Sequence, residues 1–503
     1  MKKILLKLLT IWLILSISFV INGCQKSKLD LLPHGPTEQS YFTKEDDFTK
    51  AVLGVYAKMT DFFWYNGGSP PIPAFLLPGD DITTNDNNEP FETFGALQPS
   101  NGTLSLLYAA HYQMIARANV VLEKVNEVAA GIYKTPNLQS YHKGEALFLR
   151  GYSFYNLWNL FGTSPLVTER VVNDGQFTPP GTTGTELLDQ AIQDFTEAAG
   201  LLPASWDAAN VGRVTANSAN GMLGKSLVFR ASVKGGDAAD YTAAIAAFNK
   251  ISGAQLQANF GDNFAFDTEN NSESLFEFQA SQAFGFDNVW LSNDFDNAVG
   301  ALSIFWGFYD NNFALFGRSR FYGTSKLLNG FDANDPRLPL TMNATDQTVK
   351  KYVTKDKLSQ SGVASVNNYR ILRLADVLLL KAEAVLQSGG STSEAIGYIN
   401  QVRKRARAMS AGTEPADRGL SETDKTKIMQ WIMNERLIEL AGEGQRWFDM
   451  RRWQIQGILT IDNASFSSNV PANMNFQSPK HLYFPIPNSE IDVNPNVKQN
   501  PGY

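Results

Sequence analysis

The sequence predicts a mainly α-helical protein: a scaffold of paired antiparallel helices in the manner of tetratricopeptide repeats, interrupted by a long irregular insertion of loops and short strands. Three observations predict it. Apolar residues recur three and four apart through much of the chain, the period of a helix face. The helical stretches come in neighbouring pairs with small residues where they would cross, although no clean fixed period repeats. Between Gly235 and Asn367 this periodicity gives way to Gly, Asn, Asp, Ser and aromatic residues.

Taken in order, residues 1–23 have Lys2, Lys3 and Lys7 ahead of an apolar run ending at Ile21, then Asn22-Gly23-Cys24. A basic start, a short apolar stretch and a small residue before the cut describe a signal peptide. Cys24 is the only cysteine among 503 residues and stands where a lipoprotein peptidase would leave it as the acylated first residue, so no disulfide is expected in the mature chain. Phe48, Val52, Val55 and Met59 mark a helix within 44–61. Helices are then expected over 104–128, 139–161, 186–199 and 216–233, and a shorter one near 243–250. In the insertion, 274–278 has the character of a strand.

The C-terminal block runs from Tyr369 to Trp453. From Tyr369 onward, Ile371, Leu374, Leu378 and Val385 fall on one helix face and further leucines fill the rest, as in a helix buried among others. Gly389-Gly390 stops it. Ser391 with Glu394 opens a second helix at the spacing of a capping box, and Ser421 with Asp424 opens a third, which ends at Gly442 and Gly444. The third carries Glu435, Arg436 and Glu439, with Arg446, Asp449, Arg451 and Arg452 following at spacings that permit ion pairing.

Four separated motifs here resemble the SusD/RagB family of Bacteroidetes outer-surface lipoproteins. They are RLADVLLLKAEA, Ile399 to Ala406 as INxVRxRA, ER…E…EGxRWFDMRRW, and the ending that runs from Phe484-Pro485-Ile486-Pro487 to Gln499-Asn500-Pro501-Gly502-Tyr503. Asp332 to Arg337 and the start of the mature chain around Leu29-Asp30 match it too. The resemblance implies a SusD-like helical fold and a non-catalytic protein anchored by lipid at Cys24 to the outer membrane, facing the exterior. It further implies capture of an oligosaccharide and delivery to a SusC-like TonB-dependent transporter. The expected division is 1–23 signal peptide, 24–235 N-terminal helical part, 236–365 irregular insertion, and 366–503 C-terminal part, packing with 24–235 as one unit.

The residues themselves narrow the chemistry. A net charge of −7 argues against a nucleic-acid partner, which would call for a basic stripe. His34, His111, His142 and His481 are scattered, and no zinc, Walker, dinucleotide or nucleophile-elbow pattern is present; no cofactor is expected. The oxygen-rich run containing Asp80, Asp81 and Asp86 is a weak calcium candidate, since calcium prefers such ligands, but it lacks the EF-hand order. Glu435 and Glu439 could serve a glycosidase only as a pair facing across a sugar; with Arg436, Arg446 and Arg452 nearby, a buried ion network is the expected use. What remains is aromatic. Trp64, Tyr65, Trp290, Trp306 and Tyr309 lie among Gly, Asn and Asp in loops, a mixture that lets rings stack on sugar faces while amides and carboxylates bond their hydroxyls. These five are the ligand-binding candidates. The rival readings are a surface glycosidase and a binder of a non-carbohydrate nutrient such as peptide.

Overall fold

The computed structural model describes residues 41–63, 71–86, 89–280, 321–352, 367–466 and 474–503. Helices α1 (Glu45–Tyr56), α2 (Gly102–Glu127), α3 (Leu138–Phe161), α4 (Glu186–Leu201), α5 (Ala216–Val233) and α6 (Ala238–Phe248) come first, and each packs on the next. Their starts follow capping chemistry: the Asn101 side chain accepts from Leu104 N, Thr215 from Ser218 N, and Asp237 from Ala239 N and Asp240 N, each satisfying donors left over by the first turn. Close crossing of α5 and α6 needs a glycine. A Cβ at Gly224 would stand 2.3 Å from the Phe248 ring.

The second half supplies α7 (Leu374–Gln387), α8 (Thr392–Arg407), α9 (Lys425–Glu439) and α10 (Arg446–Gln456). α7 packs on α6 although 125 residues separate Phe248 from Leu374 at 249–373, so the helical array continues across the insertion. This is the mainly α, tetratricopeptide-like architecture the periodicity predicts. Two departures stand out. The third C-terminal helix starts after Asp424, not at Ser421, because the Asp424 side chain itself accepts from Thr426 N and Lys427 N. And Tyr369–Arg373, read as the head of a helix, is a strand. It pairs antiparallel with Ser274–Phe278, with Phe278 opposite Tyr369; every residue of it is buried, and cross-strand bonding outweighs helical propensity in a five-residue stretch.

Strands are therefore β1 (Ile82–Thr84), β2 (Ser274–Phe278), β3 (Phe321–Gly323) and β4 (Tyr369–Arg373), pairing as β1 with β3 and β2 with β4. β2 lies on the helices: Phe276 meets the Phe148 ring of α3 at 4.9 Å.

The tail closes the far end of α3. Gly162, with φ of +72°, turns the chain where a Cβ would meet the Tyr483 ring at 2.8 Å. The last carbonyls of α3 are then taken up from the C-terminal part: Arg451 Nη1 donates to Asn159 O, Phe484 N to Leu160 O at 2.8 Å, and Asn500 Nδ2 to Phe161 O at 2.8 Å. Arg451 is fully buried and pairs with no carboxylate among the described residues; its guanidinium lies 4.5 Å from the Tyr483 ring and 5.1 Å from Trp158. The negative end of the α3 dipole and the ring faces supply the compensation.

Candidate functional site

Phe63, Ala280 and Tyr352 lie together around Asn368 and Tyr369. Phe63, the last described residue before 64–70, has its ring 4.8 Å from Phe278 and 5.1 Å from Tyr369. Ala280, the last before 281–320, donates its N–H to Asn368 Oδ1 at 2.8 Å. Tyr352, the last before 353–366, packs its ring 5.6 Å from Tyr369. The candidates Trp64, Tyr65, Trp290, Trp306 and Tyr309, like Cys24, lie outside the described residues. The structure does describe the ground from which their segments depart.

Beside these rings the ground is polar. Asn368 Nδ2 donates to Glu277 Oε2 at 2.9 Å and to Gln279 Oε1 at 3.0 Å, while Gln279 and Asn270 exchange amide bonds at 2.9 Å each way. Glu269 accepts from Asn368 N at 2.7 Å; burial pushes its carboxyl up to about 7 against that bond.

Beneath it sits an ion network. Glu439 accepts from Arg373 at 2.6 Å, from Arg337 at 2.9 Å and from Arg405. Glu443 takes Arg373 and Lys351, each at 2.8 Å, and Glu435 takes Arg337 at 2.7 Å and Arg403 at 2.9 Å. Arg373 and Arg405 share Glu273, at 2.9 and 3.0 Å. Burial pushes the Glu439 carboxyl up, but Arg405, Arg373 and Arg337 outweigh it and hold the group far below its ordinary value of 4.5. Burial likewise drives the Lys351 ammonium down to about 8. Since Glu273 precedes β2, Arg373 ends β4 and Lys351 precedes the segment 353–366, the network ties the roots of the insertion to α8 and α9.

Glu435 and Glu439 are thus 1% and 0% exposed and enclosed by guanidiniums, an arrangement that holds structure and cannot face a sugar. Their partners differ from those the spacing suggested. Arg446 instead meets Asp80 at 2.5 Å, Arg452 holds Glu383 and Asp449, and Arg436 bridges Asp449 and Asp376 at 2.7 Å each. The calcium candidates Asp80, Asp81 and Asp86 are placed apart in their roles. Asp80 is neutralised by Arg446 and Lys326, Asp81 accepts from Gly442 N at 2.9 Å, and Asp86 is exposed. Among the described residues no group of three or more metal-ligating side chains comes together.

Sequence reading missed Trp206. It stands alone in a polar turn, with no neighbouring aromatic to draw attention, yet it lines a groove of about 350 Å³ between the α4–α5 connection and the strand β2. A smaller cavity of about 40 Å³ lies under Phe63, beside Tyr155, Lys225 and Tyr369.

An array of stacked antiparallel helices, braced by a buried ion network, defines a class of architecture: the helical-repeat scaffold. Two family models match the chain, one for the SusD family over residues 287–503 and one described as starch-binding, associating with outer membrane, over 79–226. The chain belongs to the SusD/RagB family. It is 26% identical to SusD-like protein P2 of Formosa agariphila, across 92% of this chain and 94% of that one. It is similar in fold to a SusD homolog from Bacteroides thetaiotaomicron (TM-score 0.76, 22% identity, covering 93% of this chain and 99% of the other). Surface glycan-binding protein A from Bacteroides uniformis shares the fold as well (TM-score 0.72, 21% identity, 91% and 99%). No helix among the described residues is long and apolar enough to cross a membrane.

Proposed function

We propose that this chain is a non-catalytic glycan-binding protein, lipid-anchored through Cys24 to the outer membrane and facing the exterior. In this reading it captures an oligosaccharide on Trp64, Tyr65, Trp290, Trp306 and Tyr309 and passes it to a SusC-like TonB-dependent transporter. The observation that carries the reading is the meeting of Phe63, Phe278, Tyr352 and Tyr369, which brings the residue before 64–70 next to the strand that ends two residues before 281–320. Binding groups on loops held by a stiff scaffold are a common functional arrangement. Family membership supports the membrane association, and the name of the Bacteroides uniformis neighbour supports a glycan as the ligand class. The packing of α5 on α7 supports one unit made of 24–235 and 366–503, and α6, at the start of 236–365, packs in the same array. The commitment of Glu435 and Glu439 to arginines supports a binder over a hydrolase.

Calorimetric titration with neutral oligosaccharides and with a peptide mixture tests this, with chromatography of the bound sugar after incubation. Binding of an oligosaccharide that is recovered intact is the expected result. Shortened sugars would replace the reading with a glycosidase, and heat from peptides alone would replace it with a peptide binder.

A further inference from the structure

The groove beside Trp206 has the chemistry of a saccharide site in its own right. It is walled by Trp206, Arg213, Asn217, Ser252, Asn271 and Glu277, among others, and its volume of about 350 Å³ lies within the range of about 300–1,000 Å³ usual for small-molecule pockets. The indole is held in place without a ligand. Its Nε1 donates to Val214 O at 2.8 Å, the Arg213 guanidinium lies 4.0 Å from its centre, and Tyr141 meets it edge-on at 5.4 Å. A ring fixed in advance costs little ordering when something stacks on it.

The groove offers no uncommitted charge. Its two ionisable side chains are already paired: Arg213 with Glu145 at 2.7 and 2.6 Å, and Glu277 with Arg370 at 3.3 Å. What it does offer is the exposed hydroxyl residues Ser205, Ser252 and Ser272 and, at the rim, Val211, 56% exposed; the amides of Asn217, Asn270 and Asn271 are bonded within the protein and add polar lining. An apolar ring beside neutral donors and acceptors suits a neutral polyhydroxylated chain better than a peptide terminus or a phosphate. The groove also borders Gln279. Gly212, at φ of +93°, packs so closely that a Cβ would lie 2.4 Å from Gln279, and Gln279 is bonded to Asn270 and Asn368 just before the segment 281–320 departs.

We propose that this groove is a second saccharide subsite, in which Trp206 stacks on a sugar ring of a neutral oligosaccharide that extends beyond the units held by the loop aromatics. The proposal rests on the glycan reading and adds where the rest of the chain lies. Full-length protein in detergent, labelled with 5-fluorotryptophan, tests it; Trp206→Phe assigns the Trp206 fluorine resonance. The protein is titrated with malto-, laminari- and xylo-oligosaccharides of two and of six units, with calorimetry in parallel. In the series that binds, the six-unit sugar is expected to shift the Trp206 resonance and to bind about tenfold more tightly than the two-unit sugar, the gain of one added stack. Ser252→Trp, which places a bulky ring in the groove from an exposed position, should remove that gain. A six-unit sugar that gives heat of binding but leaves the Trp206 resonance unmoved overturns the subsite while leaving the glycan reading intact. A gain that survives in folded Ser252→Trp does the same. If no series gives heat or a shift, the glycan reading falls and the subsite with it. If the Trp206 resonance still shifts when Trp64, Trp290 and Trp306 are all alanine, the groove stands as a site of its own.

Discussion

Replacing Glu439 by glutamine removes one negative charge and almost no volume at the point where Arg337, Arg373 and Arg405 meet. Stranding one side of a buried ion pair costs about 3–5 kcal/mol. The structure places this case at the lower end, because each guanidinium keeps another carboxylate: Arg337 keeps Asp335 and Glu435, Arg373 keeps Glu443 and Glu273, and Arg405 keeps Glu273. For 503 residues at roughly 2.1 cal/mol/K each, the unfolding entropy is about 1 kcal/mol/K, so a loss of about 3 kcal/mol lowers Tm by about 3 °C if the chain melts as one unit. Differential scanning calorimetry at pH 7 reads this directly. The pH dependence gives a second check. The folded carboxyl titrates far below its ordinary 4.5, so its stabilisation is fully present above 4.5 and is lost as pH falls toward the folded value. The gap between wild type and Glu439→Gln should therefore narrow on acidification. An unchanged Tm at pH 7, or a gap that widens in acid, would refute the reasoning.

Glu92 behaves in the opposite sense. Burial pushes its carboxyl up to about 7, against bonds from Thr83 at 2.5 Å and Thr84 at 3.4 Å, so the folded state holds its proton and loses stability as pH rises from 4.5 through 7. Thermal melts of Glu92→Gln should match wild type near pH 4 and exceed it at pH 8; a smaller difference at pH 8 than at pH 4 would contradict this. At the loops, alanine at Trp64, Trp290 or Trp306 should weaken oligosaccharide binding about tenfold where the ring makes contact, with unchanged circular dichroism. Wild-type affinity in all three folded variants would end the aromatic-platform reading. Cys24→Ala should move the protein out of the membrane fraction, since the acyl chains supply the burial that holds it there, and retention after a high-salt wash would count against the anchor.

Sequence periodicity located most of the longer helices to within a few residues because their apolar faces and capping residues are local signals. It failed at Tyr369–Arg373, where the choice of strand is made by Ser274–Phe278, about a hundred residues away, and no window over the strand itself contains that information. The ion network was legible as a network but not in its pairings. Spacing along one helix suggested that Arg446 would serve Glu435 or Glu439, yet its partner Asp80 lies 366 positions earlier, and Arg337 reaches Glu435 across 98. Charges on a helix face report which residues need partners; the fold decides which partners arrive. Trp206 was invisible for a similar reason, since its groove is assembled from four separate stretches between Ala204 and Glu277.

The closure of α3 by the tail sets an order on biosynthesis. A chain made from its amino terminus completes residues 138–161 long before Arg451, Phe484 and Asn500 exist, so the carbonyls of Asn159, Leu160 and Phe161 must wait on water until those three have been made. The end of α3 is consequently closed in steps, by Arg451 and Phe484 first, and a chain lacking Asn500 leaves the Phe161 carbonyl without that partner.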